Sequence, residues 1–84
     1  MPATRTTSGL FAGLLRRRRK QLNLTQGELA ERVGLTTARI CGYERGVNDP
    51  SFFTLLRLAA GLNFRLGDLQ PIVDEVRENL RRRK

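Results

Sequence analysis

Side chains that commonly perform catalysis or bind metals are scarce in this sequence. It contains no histidine, and Cys41 is its only cysteine. The chain therefore lacks the commonest general base and metal ligand, and one thiol can build neither an internal disulfide nor a zinc site. Glu28 lies three residues after Thr25, which is the spacing of a helix-cap partner rather than of a catalytic acid. We expect no enzymatic activity, no cofactor and no metal.

Positive charge dominates the composition. The 84 residues include 16 Lys or Arg against 8 Asp or Glu, for a formal net charge of +8. Such a balance favours a polyanionic partner, which could be DNA, RNA or an anionic membrane surface, although it also fits solubility through self-repulsion. The basic run over residues 81–84 could follow a DNA backbone without regard to sequence.

The first half of the chain has the start and stop signals of two helices. Ser8 is a candidate N-cap for a first helix that ends at Asn23. Thr25 and Glu28 form a capping box at the start of a second helix, and Gly34 stands where a left-handed residue closes it. Apolar residues recur at helical spacing inside both segments.

The second half predicts further helices, so the expected fold is all-α. Thr36 begins a third helix that runs to about Arg45 and is ended by Gly46, and Ser51 caps a fourth. A short fifth helix is expected over residues 66–69, and Pro71 should interrupt the chain before an amphipathic sixth. The predicted core consists of Leu29, Val33, Ile40, Tyr43, Phe52, Leu55, Leu56 and Leu62.

Two short helices joined by a glycine-containing turn are typical of a helix-turn-helix. Here the helices span residues 26–33 and 36–44, and Gly34 and Leu35 form the turn. A protruding second helix fits the major groove of DNA, where each base pair presents a distinct pattern of donors and acceptors. Helix N-termini also favour contact with phosphate. The spacing therefore predicts a DNA-binding module.

Over residues 10–69 the sequence resembles the lambda-repressor-like, or Cro/XRE-type, helix-turn-helix family. The resemblance rests on residues that match across two helices and the following loop, namely Leu24-Thr25-Gln26, Glu28-Leu29-Ala30, Val33-Gly34-Leu35, Ile40, Tyr43-Glu44, Gly46 and Pro50-Ser51. It implies a five-helix DNA-binding domain, and the C-terminal pattern allows an extra helix beyond it. It also implies a homodimer that binds a pseudo-palindromic operator in double-stranded DNA.

The same resemblance implies roles for individual residues. Gln26 would contact a phosphate and brace the third helix, while Arg19 would pair with Glu44 to tie the first helix to the third. The tip that enters the groove would consist of Thr36, Thr37 and Ala38. The full set of residues expected at the DNA is Arg18, Thr25, Gln26, Thr36, Thr37, Ala38, Arg39, Cys41, Gly42 and Arg45.

The helical wheel of the third helix agrees with this orientation. Ile40 and Tyr43 fall together and define its buried side. The opposite side carries, from its centre to its edge, Ala38, Gly42, Arg45, Cys41 and Thr37. Arg39 lies on a flank, from which a guanidinium could reach a phosphate or a guanine.

Small residues on this outer side depart from the family pattern, in which many relatives carry Gln, Asn or Arg. Gly42 inside a helix costs about 1 kcal/mol relative to alanine. Either the backbone approaches the DNA closely there, or the position is not used for contact. Thr37 and Arg45, with Ala38 against a thymine methyl, remain as the expected base contacts.

The sequence thus predicts a dimeric, sequence-specific transcriptional regulator, a repressor without an effector domain. The alternative is the antitoxin of a toxin–antitoxin system, which would bind DNA with the same helices. Its toxin protein would bind the tail from Ile72 onward or the arm before Gly9. A nonspecific binder of nucleic acid or membrane is disfavoured, because attraction by charge alone requires no such ordered motif.

We expect a flexible arm over residues 1–8, a DNA-binding domain over 9–70, and an amphipathic helix with a basic tail over 71–84. The stripe of Ile72, Val76 and Leu80 could pack within the chain or between two copies. No signal-peptide pattern opens the sequence, and no apolar run is long enough to span a bilayer. The expected location is the cytoplasm of a bacterium or a phage-infected cell, in association with the nucleoid.

Overall fold

Helices make up the regular structure of residues 7–82. A computed structural model describes residues 7–82, and of residues 7 and 8 only the backbone. The helices are α1 (Thr7–Gln21), α2 (Gln26–Val33), α3 (Thr37–Glu44), α4 (Phe52–Gly61) and α5 (Gln70–Arg82), with one 3₁₀ turn at Leu66–Leu69. The predicted all-α fold is confirmed. Of the arm expected over residues 1–8, residues 7 and 8 belong to α1, while residues 1–6 and the last two residues of the basic tail lie outside the described residues.

Hydroxyl side chains start the three central helices, as the sequence predicts. The Oγ1 atom of Thr25 accepts from the backbone N–H of Glu28 at 3.0 Å, and Glu28 Oε1 accepts from the N–H of Thr25 at 2.8 Å. Thr36 and Ser51 cap α3 and α4 in the same manner, each accepting from the N–H three residues later. These bonds satisfy backbone donors that a helix N-terminus leaves without partners.

Each of the first four helices is followed, one or two positions after its last residue, by a residue with positive φ, which turns the chain sharply back. These residues are Asn23 (57°), Gly34 (72°), Gly46 (72°) and Asn63 (56°). In each case the next N–H donates to the carbonyl five residues earlier: Leu24 to Arg19, Leu35 to Ala30, Val47 to Gly42 and Phe64 to Ala59. This is the Schellman pattern, and it allows the loops between α1, α2 and α3 to be very short.

Two predicted boundaries are wrong. Ser8 does not precede the first helix, because α1 already begins at Thr7. Pro71 does not interrupt the chain either, because it lies in the first turn of α5, where a missing N–H costs nothing and its fixed φ is helical. The expected fifth helix is a single 3₁₀ turn, in which Asp68 Oδ2 accepts from the N–H of Arg65 at 2.8 Å.

A continuous core joins α1 to α4. Its completely buried side chains are Leu15, Leu29, Ile40, Leu58 and Leu62, and Phe11, Ala30, Val33 and Tyr43 surround them. Ile72 near the start of α5 packs against this core, as do the residues that follow three of the turns, Leu24, Leu35 and Phe64. No helix in the described part of the chain is long and apolar enough to cross a membrane.

The predicted core face of α4 is partly wrong. Phe52 is 75% exposed and Leu56 is 50% exposed, whereas Leu58 and Thr54 are buried. Apolar residues cover more than half the circumference of α4, so their spacing could not tell which side faces inward. Thr54 tolerates burial because its Oγ1 accepts from the hydroxyl of Ser51 at 3.0 Å.

Candidate nucleic-acid interface

The turn between α2 and α3 is held in place from α4. Gly34 has the left-handed conformation that the turn requires, and Leu35 packs against the core. Arg57 donates from Nη2 to the carbonyl oxygens of Val33 at 2.7 Å and of Gly34 at 3.2 Å. A cation at these carbonyls also complements the negative end of the α2 dipole. The prediction missed Arg57, for which the only signal was an arginine amid the apolar residues of α4.

A buried ion pair joins α1 to the end of α3. Arg19 donates from Nε to Glu44 Oε2 at 2.6 Å and from Nη2 to Oε1 at 2.9 Å, and its Nη1 donates to the carbonyl of Leu24 at 2.8 Å. The side-chain amide of Gln26, at the start of α2, donates to Glu44 Oε1 at 3.2 Å. The structure thus brings together Arg19, Gln26 and Glu44, and one carboxylate links α1, α2 and α3.

Hydrogen bonding keeps this carboxylate ionised. Burial by itself would raise the pKa of Glu44, but the hydrogen bonds from Arg19 and Gln26 and the positive charge of Arg19 outweigh it, so the pKa lies below its ordinary value. The hydrogen bond with Glu44 raises the pKa of Arg19 in turn, against the opposing effect of burial. The pair therefore stays charged inside the protein, and a charged acceptor orients the Gln26 amide.

The face of α3 opposite the core is exposed at both of its ends and half-buried at Cys41 and Gly42. Ile40, Tyr43 and Glu44 are buried on the inner side. Exposed positions on or beside the outer face are Thr36, Thr37, Ala38, Arg39 and Arg45, while Cys41 and Gly42 are half-buried. The α2 start lies next to this surface, since a Cβ atom on Gly27 would lie 3.7 Å from Thr37 Oγ1. Thr25 is exposed there, and Gln26 is half-buried.

The loop after α3 explains the glycine within that helix. A Cβ atom on Gly42 would lie 2.5 Å from Nδ2 of Asn48 and 3.5 Å from its Cγ. Any larger residue at position 42 would displace the amide of Asn48. The hollow at Gly42 is therefore filled from within the chain, which is neither of the two explanations that the sequence suggested. The sequence analysis missed Asn48, because the spacing of residues gives no sign that the side chain of a loop residue lies over the preceding helix.

Arg18 faces away from the set expected at the DNA. Its Nε donates to the carbonyl of Leu62 at 2.8 Å, at the end of α4, and its Nη1 contacts Gln21 Oε1 at 3.3 Å. The side chain therefore stabilises the packing of α1 against the end of α4. The structure does not bring it together with Gln26 or with the outer face of α3.

Nothing in residues 7–82 assembles a metal site, since no group of three His, Cys, Asp or Glu side chains could hold an ion there. Cys41 is a free thiol on the half-buried edge of α3. The chemistry available at this surface is hydrogen bonding and positive charge. Both suit recognition of a polyanion with patterned donors and acceptors.

Comparison with known sequences gives a family match. A family model described as helix-turn-helix matches residues 15–69. Over 49 residues the chain is 49% identical to an uncharacterized HTH-type transcriptional regulator of Methanothermobacter thermautotrophicus, an alignment that covers 58% of this chain and 71% of the relative.

Solved structures of similar fold include the restriction-modification controller protein C.Esp1396I. The wild-type protein superposes with a TM-score of 0.75 at 18% identity, covering 89% of this chain and 99% of that one. A single-residue variant gives a TM-score of 0.75 at 19% identity, with 88% and 95% coverage. Likeness at this level of identity shows a common fold, and it extends beyond α2 and α3 to most of the chain.

Proposed function

The chain belongs to the helix-turn-helix family, and on that premise we propose that it is a transcriptional repressor that binds a pseudo-palindromic operator as a homodimer. Residues 9–70 would form the DNA-binding unit, with the arm and the C-terminal helix as additions to it. The chain would act on DNA in the cytoplasm, in association with the nucleoid, and without enzymatic activity.

The observation that carries this proposal is the position of α3. Its inner side is held by the buried Ile40 and Tyr43 and by the ion pair at Glu44, while its opposite face is largely exposed. A helix held in this way can enter a major groove without losing contact with the body of the protein. The net charge of +8 supplies attraction to phosphate. We therefore call α3 the recognition helix.

Individual residues receive the roles that their positions support. Thr37, Ala38 and Arg45 would face the bases, with Arg39 reaching a phosphate or a guanine from the flank. Gln26 would hydrogen-bond a phosphate with the part of its amide that Glu44 leaves free. The remaining proposed contacts, which lie at helix starts or along the recognition helix, are Thr25, Thr36 and Cys41. Gly42 is left out, because the side chain of Asn48 lies over it. Arg18 is left out of this set, because its guanidinium is engaged with Leu62 and Gln21.

Selection of binding sites from random duplex DNA at physiological salt tests the proposal. We expect an enriched inverted repeat whose half-sites lie about 34 Å apart, since one helical turn separates two recognition helices of a symmetric dimer. Enrichment of no sequence, combined with retention that vanishes as salt is raised, would instead identify binding by charge alone.

Two substitutions separate base recognition from backbone contact. Thr37→Ala should relax the preference at one position of each half-site, because it removes a side chain that faces a base. Gln26→Ala should weaken binding to every DNA about equally, because phosphates carry no sequence information. Titrations of the selected operator and of single-base variants measure both effects. Equal losses on all DNAs for both variants would contradict the assignment.

For the dimer contact we propose the α4 surface, defined as the exposed apolar side chains Val47, Phe52, Phe53 and Leu56. It begins in the loop directly after the recognition helix, so joining two copies here would keep both recognition helices near the twofold axis. Aromatic residues are also enriched at the centres of interfaces. The other exposed apolar strip, Val73, Val76 and Leu80 on α5, would then remain outside the dimer contact.

That strip on α5 supports a second candidate function, the antitoxin of a toxin–antitoxin pair. An amphipathic helix with exposed apolar residues can dock into the groove of a partner protein. In this case a toxin encoded beside this gene would form a complex with the purified chain, and Leu80→Asp would weaken the complex without weakening operator binding. Absence of any such neighbouring gene would remove this candidate.

A further inference from the structure

We propose that a groove between α1 and the start of α5 binds a free amino acid with an apolar side chain. This α1–α5 groove is lined by Leu14 and Arg17 of α1 and, across from them, by Phe64, Asp68 and Pro71. Its volume of about 310 Å³ is at the small end of the range for ligand sites, so its occupant is a small molecule. The site goes beyond the proposed function, because Arg18, which also lines it, faces away from the recognition helix.

An apolar floor forms the first part of the groove. Leu14 and Phe64 are half-buried, and Phe64 packs against the core. The backbone N–H of Phe64 donates to the carbonyl of Ala59 at 2.8 Å, so the turn after α4 fixes where this residue lies. Pro71 adds an exposed apolar ring. An aliphatic or aromatic side chain that covers this floor leaves water, and its burial favours binding.

Two opposite charges line the same groove without neutralising each other. Arg17 is exposed, and within residues 7–82 its guanidinium makes no hydrogen bond or ion pair. Asp68 is exposed as well. Its Oδ2 accepts from the backbone N–H of Arg65 at 2.8 Å, but its carboxylate forms no ion pair in the described part of the chain. One wall therefore offers a cation and the other an anion.

This combination of charges selects the chemical class of the ligand. A simple apolar carboxylate would be attracted by Arg17 and repelled by Asp68, and an apolar amine would meet the reverse. An α-amino acid carries a carboxylate that accepts from Arg17 and an ammonium that donates to Asp68, so both charges gain a partner. Its apolar side chain then covers the floor of the groove.

The walls of the groove are held in place before any ligand binds. Arg18 donates to the carbonyl of Leu62 at 2.8 Å and to Gln21 Oε1 at 3.3 Å, which joins this part of α1 to the end of α4. A Cβ atom on Gly67 would meet no atom within 4 Å, so the wall beside Asp68 leaves room for the ligand. A preformed site loses little free energy to ordering when it is occupied.

The test is an NMR titration of the isotope-labelled full chain with L-phenylalanine and three analogues, in the absence of DNA. We expect saturable binding of L-phenylalanine that shifts the amide signals of Gly67 and Asp68. 3-Phenylpropanoate lacks the ammonium and 2-phenylethylamine lacks the carboxylate. Each should bind about 3- to 10-fold more weakly, the range for one charge-assisted contact at an exposed site. L-Alanine keeps both charges but not the apolar side chain, and it should also bind more weakly.

Matched variants locate the site. Arg17→Gln should weaken binding of L-phenylalanine to about the level of 2-phenylethylamine, and Asp68→Asn to about the level of 3-phenylpropanoate. Asparagine at position 68 can still accept from the N–H of Arg65, so the fold should be unchanged in thermal unfolding. The controls Arg16→Gln and Asp74→Asn remove exposed charges of the same kinds that do not line the groove, and they should bind L-phenylalanine as the wild type does.

Three outcomes would overturn the inference. L-Phenylalanine could show no saturable binding at millimolar concentrations. The two analogues with a single charge could bind as tightly as L-phenylalanine, which would mean binding by the apolar floor alone. Arg17→Gln and Asp68→Asn could both keep wild-type affinity, which would place the ligand elsewhere. Because no DNA is present, failure here leaves the proposed operator binding intact, and failure of site selection leaves this inference intact.

Discussion

At the scale of residues, several arginines bind the protein's own backbone. Four of them donate to carbonyl groups at or just beyond helix ends: Arg18 to Leu62, Arg19 to Leu24, Arg32 to Gly61 and Arg57 to Val33. Positive charge at these carbonyls opposes the negative ends of the helix dipoles. The net charge of the chain therefore overstates the number of cations free to meet a polyanion.

Removal of one partner from the buried pair should be costly. Arg19 and Glu44 are 9% and 5% exposed. Glu44→Ala leaves the guanidinium without its carboxylate, and we expect a loss of about 3–5 kcal/mol in the free energy of unfolding. Urea denaturation followed by circular dichroism measures it. An unchanged midpoint would show that the pair contributes nothing.

A double variant distinguishes stability from DNA binding. Arg19→Met with Glu44→Leu removes both charges and should be more stable than Glu44→Ala alone, because no ion is left buried without a partner. It should still bind the operator less tightly than the wild type, since the amide of Gln26 loses its acceptor. Wild-type affinity in the double variant would show that Glu44 does not orient Gln26 for binding.

Acid should weaken the same pair. The pKa of Glu44 is lower in the folded chain than its ordinary value of 4.5. The folded state then holds this proton less tightly than the unfolded state, so the stabilisation is complete above about pH 4.5 and is lost as the pH falls through the folded value. The difference in unfolding free energy between wild type and Glu44→Gln should be constant near neutrality and shrink below pH 4.5. A difference independent of pH would contradict this.

At the scale of elements, the short connections depend on left-handed residues. Gly34 has a φ of 72°, and a Cβ atom there would also lie 2.6 Å from Nη2 of Arg57. The angle between α2 and α3 thus depends on one position where both the backbone conformation and a neighbouring cation exclude a side chain.

Gly34→Ala should consequently destabilise the protein by about 1–3 kcal/mol. Gly13→Ala is the matched control, because Gly13 lies inside α1 with no atom within 4 Å of its Cβ position. This control should stabilise the chain by roughly 0.5–1 kcal/mol through helix propensity. Thermal unfolding of both variants gives the comparison, and equal midpoints would refute the claim about the turn.

At the scale of the whole molecule, the large exposed apolar residues of the described chain fall into the α4 surface and the strip on α5, apart from Leu66 in the 3₁₀ turn. Val47 illustrates the contrast with the core. It follows a left-handed residue as Leu24, Leu35 and Phe64 do, yet those three pack against the core whereas Val47 is 65% exposed. Its apolar side chain lies in the α4 surface, for which we propose a second copy as the partner.

Charge placed on that surface should separate the subunits. Leu56→Asp introduces a carboxylate into the α4 surface, and we expect a monomer at concentrations where the wild-type protein sediments as a dimer. Leu80→Asp, at a similarly exposed leucine on α5, is the matched control and should remain dimeric. Sedimentation velocity distinguishes them. The reverse result would assign the dimer contact to α5.

Local interactions explain how much of this fold could be predicted. The capping box at Thr25, the caps at Thr36 and Ser51, and the ends at Asn23, Gly34 and Gly46 are decided by bonds spanning five residues or fewer, so residue type and spacing are sufficient. The pairing of Arg19 with Glu44, by contrast, joins residues 25 positions apart, and it was expected only because the family resemblance implied it.

The features that only the tertiary structure decided depend on residues that are far apart in the sequence, or on loop residues that fold back onto a helix. The inward side of α4 was set by its packing against α2, not by its own pattern of apolar residues. Arg18 reaches a carbonyl 44 residues away, and Arg57 one 24 residues away. Asn48 fills the hollow of Gly42 because a turn returns it there. The sequence alone determined the helices and the helix-turn-helix that two of them form. The assembled fold determined which side chains remain available to a partner.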